Sequence, residues 1–192
     1  MSLPDPLHRG FRALRYSWWA ARSWIVLSWY RLLYPGLRVG RGVRLGRGVD
    51  ISVVRGASLD VGDRVQIDSH VRLTAEGDLA IGPDSYVGVG SIIVSANRVT
   101  IGRDALIAAY VTIRDQDHRI EARPFREQSL ISAQVEIGDN VWLGTKVTVL
   151  RGVEIGSNCV IGANSVVTRP IPCDCVAVGT PARIVKRLSD GS

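Results

Sequence analysis

The sequence predicts an all-β fold, a parallel β-helix with three short sides to each coil, and three observations predict it. Aliphatic residues recur every six positions as Ile137, Leu143, Val149, Ile155, Ile161 and Val167. The same spacing holds in the earlier triplets Val39, Leu45, Ile51; Val61, Ile67, Leu73; Ile81, Val87, Ile93; and Ile101, Ile107, Ile113. Four residues after the aliphatic comes a small or β-branched residue, from Val43 and Val49 through Ser85, Ser91 and Ala105 to Cys159 and Ser165. Neither the helical period of 3.6 nor the strand period of 2 accounts for this. A short strand and a turn every six residues does, with each aliphatic aimed at a common axis.

Each triplet is then one coil, and coils begin near 39, 61, 81, 101, 137 and 155. The step from 137 to 155 is a bare coil, and the slightly longer steps before it carry small corner loops. Stacked coils bury an aliphatic column that no single coil could bury. Glycine usually follows the aliphatic directly, where a turn is expected to need a residue free of steric restriction. Gly179, Thr180 and Pro181 read as the turn that ends the stack and leads into a terminal segment. The chain divides into an N-terminal segment 1–36, a coil domain 37–187 with an insertion at 114–136, and a tail 188–192. Its 192 residues suit one domain.

The N-terminal segment contains "HRGFRALRYSWWAARSWIVLSWYRLLY", residues 8–34, with four of the five tryptophans. At helical spacing Phe11, Leu14, Trp18, Ala21, Ile25, Trp29 and Leu32 share one face. Trp19, Val26, Tyr30 and Leu33 widen the apolar surface, and Arg9, Arg12, Arg15, Arg22 and Arg31 punctuate it. The apolar run between Arg22 and Arg31 is too short to span a bilayer, and no small-residue cleavage site marks a signal peptide. Two compatible roles follow: a cap over the open first coil, and contact with a membrane surface, where Trp and Arg meet the interface and anionic headgroups.

The formal charge of +6 is concentrated at this end. Residues 1–50 carry nine Arg against Asp5 and Asp50, whereas the remainder holds fifteen basic and sixteen acidic groups. A near-neutral body argues against nucleic-acid binding. Cys159, Cys173 and Cys175 are an odd set without metal-ligand spacing and read as reduced thiols of a cytoplasmic protein.

The insertion "RDQDHRIEARPFREQSLISAQVE" is charged and lacks the aliphatic–glycine pairs. It reads as an external loop leaving the third side of a coil. At its root stands His118, five residues after Ile113. An imidazole there can serve as a general base near neutral pH, and Asp115 or Asp117 could orient it. A solvated loop histidine is the alternative. No serine or cysteine stands out as a nucleophile with a base beside it, so no covalent acyl-enzyme is called for.

The hexads resemble the left-handed β-helix of the hexapeptide-repeat acyltransferases. "IGRDALIAAYVTIRDQDH" followed by "VEIGDNVWLG" resembles the histidine loop and next coil of the sugar O-acetyltransferases, and "IGANSVVTRPIPCDCVAVGTPARIVKRL" resembles their last coil and exit segment. The resemblance covers roughly residues 39–187. It implies left-handed coils, a homotrimer with sites between subunits, and acetyl-CoA as co-substrate without a metal. It puts His118 at the position of the family's base. It also implies a coenzyme site made by Trp142, Gly144, Thr145, Gly162, Ala163, Thr168, Arg169, Arg183 and Lys186. Within that set, Thr145 would give a backbone N–H to the oxyanion, Ala163 would border the pantetheine, and the basic residues would face the phosphate end.

Two departures shape the acceptor. Val89 stands where the maltose and galactoside branch has an acceptor-binding asparagine, and the basic N-terminal segment replaces an acidic one. The chain therefore looks closer to enzymes that O-acetylate a polysaccharide, lipopolysaccharide or lipid-linked glycan. Transfer to an amino sugar or an antibiotic is an alternative, as is a non-catalytic scaffold. A zinc carbonic anhydrase of the same fold would need three histidines on the metal. His70 and His118 alone lie in the coil region, with His8 ahead of it.

Overall fold

A computed structural model of the protein describes residues 22–121 and 123–188. Three parallel sheets make the sides of a prism. The first side holds Leu37–Val39, Ser58–Val61, Asp78–Ile81, Arg98–Ile101, Val135–Ile137 and Glu154–Ile155. The second begins at Arg44–Leu45 and runs through Gln66–Ile67, Tyr86–Val87, Leu106–Ile107, Trp142–Leu143 and Val160–Ile161 to Cys175–Gly179. The third holds Asp50–Val53, Arg72–Ala75, Ile92–Ser95, Thr112–Arg114, Thr148–Val149 and Val166–Val167. Each strand pairs with its equivalent one coil on, as in Leu45↔Ile67, Ile67↔Val87, Val87↔Ile107 and Ile107↔Leu143. The fold is a left-handed β-helix of hexapeptide repeats with about seven coils.

In-register pairing turns the six-residue period into columns. Leu45, Ile67, Val87, Ile107, Leu143 and Ile161 stack as one fully buried file. The positions four residues later fill the corners, and where they are serine the hydroxyl is satisfied. Ser85 Oγ donates to the Gly102 carbonyl and accepts the Ala105 N–H, each at 3.1 Å. Ser91 does the same with Ala108 and Val111.

The glycines have a different reason from the one the sequence suggested. The left-handed backbone position falls three residues after the aliphatic, at Gly42 but also at Arg64, Asp84, Asn140 and Asn158. The glycine directly after the aliphatic is there for space. A Cβ on Gly82 would lie 2.4 Å from the Gly102 carbonyl carbon and 2.6 Å from the Arg103 nitrogen. Glycine at this corner lets successive coils approach at sheet spacing.

A helix at 22–33 covers the first coil. That coil has no preceding coil to bond, so its backbone groups need partners from elsewhere. The helix supplies them: Ser23 Oγ accepts the Leu45 N–H at 2.9 Å, and Tyr30 donates to the Val49 carbonyl at 3.1 Å. Arg22 donates to the carbonyls of Leu45 and Gly46, and Arg31 to that of Val39. Leu27 is buried among them, and the Tyr30 and Tyr34 rings stack at 6.1 Å. The packed face is thus Ser23, Val26, Leu27 and Tyr30, and not the one expected from the sequence. Ile25, Trp29 and Leu32 of the expected face are exposed. Phe11, Leu14, Trp18 and Ala21 lie outside the described residues. At the other end Ala182–Arg187 runs back antiparallel along Cys175–Gly179.

Candidate active site

The insertion leaves the prism at the corner between the third and first sides. Its root is a clasp built on Asp115, which is fully buried. The Asp115 carboxylate accepts the backbone N–H groups of Ala96, Asn97 and Arg98 at 2.7, 2.7 and 2.8 Å. Its own carbonyl accepts the N–H of Ala133 at 2.9 Å, where the insertion returns, and Ala133 in turn accepts from Gly152. One residue therefore ties the outgoing strand to the coil before it and to the incoming strand. The local sequence permits this because an aspartate follows the last outward residue of the third side, where a side chain aims at the corner.

Beyond the clasp, Gln116–His118 pairs antiparallel with Leu130–Ser132, and His118 faces Leu130 across the hairpin. Alternation along the strand puts Gln116 and His118 on one side and Asp117 on the other. His118 is exposed, and its imidazole is carried three residues beyond the buried Asp115. Asp117 points to Arg151, with Oδ2 3.0 Å from Nε. The two aspartates expected to orient His118 are thus both committed elsewhere: Asp115 to the turn at 96–98, Asp117 to Arg151. Both position the strand that carries the imidazole and neither bonds to it.

The residues expected to hold the coenzyme fall into three groups. Trp142 stands outward on the second side, half exposed beside Leu106 and Val160. Its shallow pocket of about 460 Å³ is also lined by Asn140, Asn158 and Leu188. Gly144 and Thr145 form the next corner, stacked on Gly162 and Ala163: Gly144 N–H donates to the Ile161 carbonyl at 2.8 Å, and Asn164 N–H to that of Thr145 at 2.9 Å. Thr168 and Arg169 lie at the opposite edge of the third side, the corner that also carries Arg151 and the His118 hairpin. Arg183 and Lys186 sit on the returning strand, opposite Val178 and Val176. Within one chain, the His118 hairpin and Thr145 hang from opposite edges of the third side. Among the described residues, no three of His, Cys, Asp and Glu converge to hold a metal ion.

Comparison with known proteins agrees with this architecture. The family described as Bacterial transferase hexapeptide (six repeats) matches residues 134–169. The galactoside O-acetyltransferase of Escherichia coli is 34% identical over 139 residues, covering 72% of this chain and 68% of the relative. A second E. coli protein, provisionally named a lipopolysaccharide biosynthesis O-acetyl transferase, is 40% identical over 143 residues and covers 69% and 73% of the two chains. The chain belongs to the hexapeptide-repeat sugar O-acetyltransferase family. A provisionally named acetyltransferase of Mycobacterium tuberculosis is 36% identical over 178 residues, covering 88% of this chain, and the chain spans 57% of its length. A family structure from Vibrio cholerae, a hexapeptide-repeat acetyltransferase complexed with acetyl coenzyme A, superposes with a TM-score of 0.55 at 27% identity. It covers 75% of this chain and 73% of that one.

Sequence reasoning missed Arg151, whose partner lies across the insertion, and Gln116. The Gln116 Oε1 atom is buried on the His118 side of the hairpin and has no hydrogen-bond partner among the described residues. The alternation of "DQDH" was the available signal, since it sorts Gln116 with His118 and away from Asp117.

Proposed function

We propose that the protein transfers an acetyl group from acetyl-CoA to a hydroxyl of a polysaccharide, lipopolysaccharide or lipid-linked glycan. The observation that carries this is His118, held exposed on a hairpin strand whose root is clasped by Asp115 and whose far side is pinned by the Asp117–Arg151 pair. Such rigidity is what a general base needs in order to meet a substrate proton in one geometry. The relatives named for galactoside and lipopolysaccharide O-acetylation support a sugar acceptor, and the coenzyme complex of the Vibrio relative supports acetyl-CoA as donor.

The imidazole of His118 takes the proton of the sugar hydroxyl as that oxygen attacks the thioester carbonyl carbon. The carbonyl oxygen becomes an oxyanion that accepts the Thr145 N–H. Collapse forms the ester and breaks the carbon–sulfur bond, and the imidazolium returns its proton to the departing coenzyme thiolate. Trp142 would bear on the coenzyme beside the Gly144–Ala163 corner, and Arg169, Arg183 and Lys186 would meet its phosphates. Because His118 and Thr145 hang from opposite edges of one side, we read the working site as an inter-subunit cleft of a homotrimer. A neighbour's corner then faces this chain's hairpin. The acceptor would be met in the cytoplasm, at the membrane face where lipid-linked glycans are assembled.

The test is thiol release from acetyl-CoA by wild type and His118→Ala with candidate glycans present. Release that needs the glycan and falls roughly 10²-fold or more in the variant supports the base. Equal release by both proteins overturns it. Absence of release and of acetyl-CoA binding in the wild type leaves the scaffold reading.

A further inference from the structure

The helix that caps the first coil has a second face, and nothing in the described chain covers it. At 100° per residue, Ser23, Val26, Leu27 and Tyr30 fall on the packed side. Trp24, Ile25, Trp29 and Leu32 occupy the opposite half with Leu33 at its border, each between 51% and 76% exposed. Five large apolar side chains so placed on a short helix form a patch of the kind that marks an interaction surface. Arg22 and Arg31 lie at its two margins. Alongside it, between helix and first coil, runs a groove of about 550 Å³ lined by Trp24, Leu27, Arg31, Arg41, Arg44 and Asp63. Asp63 is engaged at the groove's edge, where its carboxylate accepts the Arg41 N–H at 2.7 Å. The Arg41 guanidinium, 95% exposed, also lies 3.6 Å from that carboxylate.

We infer that this end of the prism docks on an anionic lipid surface. The exposed half of the helix would sit at the headgroup–acyl boundary, and headgroup phosphates would meet the arginines of the groove. Charge selects this occupant. Residues 1–50 carry nine arginines against two aspartates, and the rest of the chain is nearly neutral. A second copy brought to this face would set one arginine-rich end against another, whereas a leaflet of anionic lipid complements it. Chain direction agrees: residues 1–21 join the helix at its N-terminal end and continue the same composition, with Trp18 and Trp19 among Arg9, Arg12 and Arg15. Trp and Arg together suit an interface that is apolar on one side and anionic on the other. Among the described residues no helix is long and apolar enough to cross a membrane, so the helix would lie in the plane of the surface. The inference deepens the proposed place of work and rests on it for its biological sense, but binding itself needs no transfer chemistry.

The experiment is co-sedimentation of the full-length protein with vesicles of phosphatidylcholine alone and of phosphatidylcholine mixed with phosphatidylglycerol. Wild type is expected to sediment with the mixed vesicles, less so as salt rises. The double variant Trp29→Ser, Leu32→Ser is expected to lose on the order of tenfold in partitioning. Its melting temperature should change little, because both side chains are mostly exposed. His118→Ala is expected to bind vesicles as wild type does, so a failed acetylation assay leaves this inference standing. Equal sedimentation of wild type and double variant overturns it, as does sedimentation with neither vesicle. Concentration-dependent self-association that the double variant abolishes, without vesicle binding, assigns the face to a second copy and also overturns it.

Discussion

The Asp115 carboxylate accepts the backbone N–H of Asn97 at 2.7 Å, which bonds the root of the insertion to the turn one coil earlier. Two further N–H groups share that carboxylate, so removing it leaves three part-buried donors without their acceptor. Asp115→Ala is expected to cost about 2–4 kcal/mol of unfolding free energy, less than three times the roughly 1–3 kcal/mol of a fully buried unpaired group because water can reach this turn in part. Asp115→Asn keeps one acceptor oxygen and should cost less. Urea titration of both variants measures this; a loss below that of a surface substitution would remove the clasp.

Arg151→Ala separates positioning from stability. The Asp117–Arg151 pair is partly exposed, so its removal should shift stability by no more than about 1 kcal/mol. Amide exchange across 116–118 and 130–132 should nevertheless quicken, and acetyl transfer should fall through kcat more than through KM. Unchanged exchange in the hairpin would show that the pair does not hold it.

Glycine substitutions should divide by position. Gly82→Ala drives a methyl group into the backbone of the next coil and is expected to cost about 2 kcal/mol or more, as overpacking does. Gly56 has a positive φ but nothing within 4 Å of a Cβ. Gly56→Ala should cost only the left-handed backbone term, about 1–2 kcal/mol. Thermal melts of the two proteins compare them, and equal losses would refute the distinction.

Stability should fall at both ends of the pH scale. The Arg64 guanidinium, hydrogen-bonded to Asp84, holds that carboxyl below its ordinary value of 3.8. A depressed group stabilises above its unfolded value, and that contribution is lost as pH drops below about 4 through the folded value. Burial first, then the 3.0 Å bond to Asp68, raises the Tyr86 hydroxyl above its ordinary 10.0. Its contribution is complete below 10.0 and is lost as pH climbs through the raised value. Asp84→Asn should flatten the acid limb and Tyr86→Phe the alkaline limb. Chemical melts across pH decide this, and limbs unaltered by these variants would assign the dependence to other groups.

The coils were legible because one force dominates them. From Ile137 to Val167 the period of six survives into the structure as fully buried side chains. The insertion was legible as an interruption of that period. The bonds of the aspartates in "RDQDH" were not, because the partners of Asp115 are backbone groups of a turn and the partner of Asp117 is on a later coil. The helix misled for a related reason. Apolar residues surround it almost completely, so hydrophobic spacing could not choose the packed face. Ser23 and Tyr30 choose it by bonding the backbone edge of the first coil. The glycines misled because their constraint is the approach of a neighbouring coil, which a single hexad does not contain.

The reversed strand Ala182–Arg187 bears on a different problem. A stack of in-register parallel coils has a head and a tail that match each other, so two molecules meeting end to end could continue one another's sheets without limit. On the second side the last strand turns antiparallel, so there the tail no longer offers the parallel register that a head would continue, and the helix closes the head. A fold that is a filament in all but length is thereby kept to a fixed size.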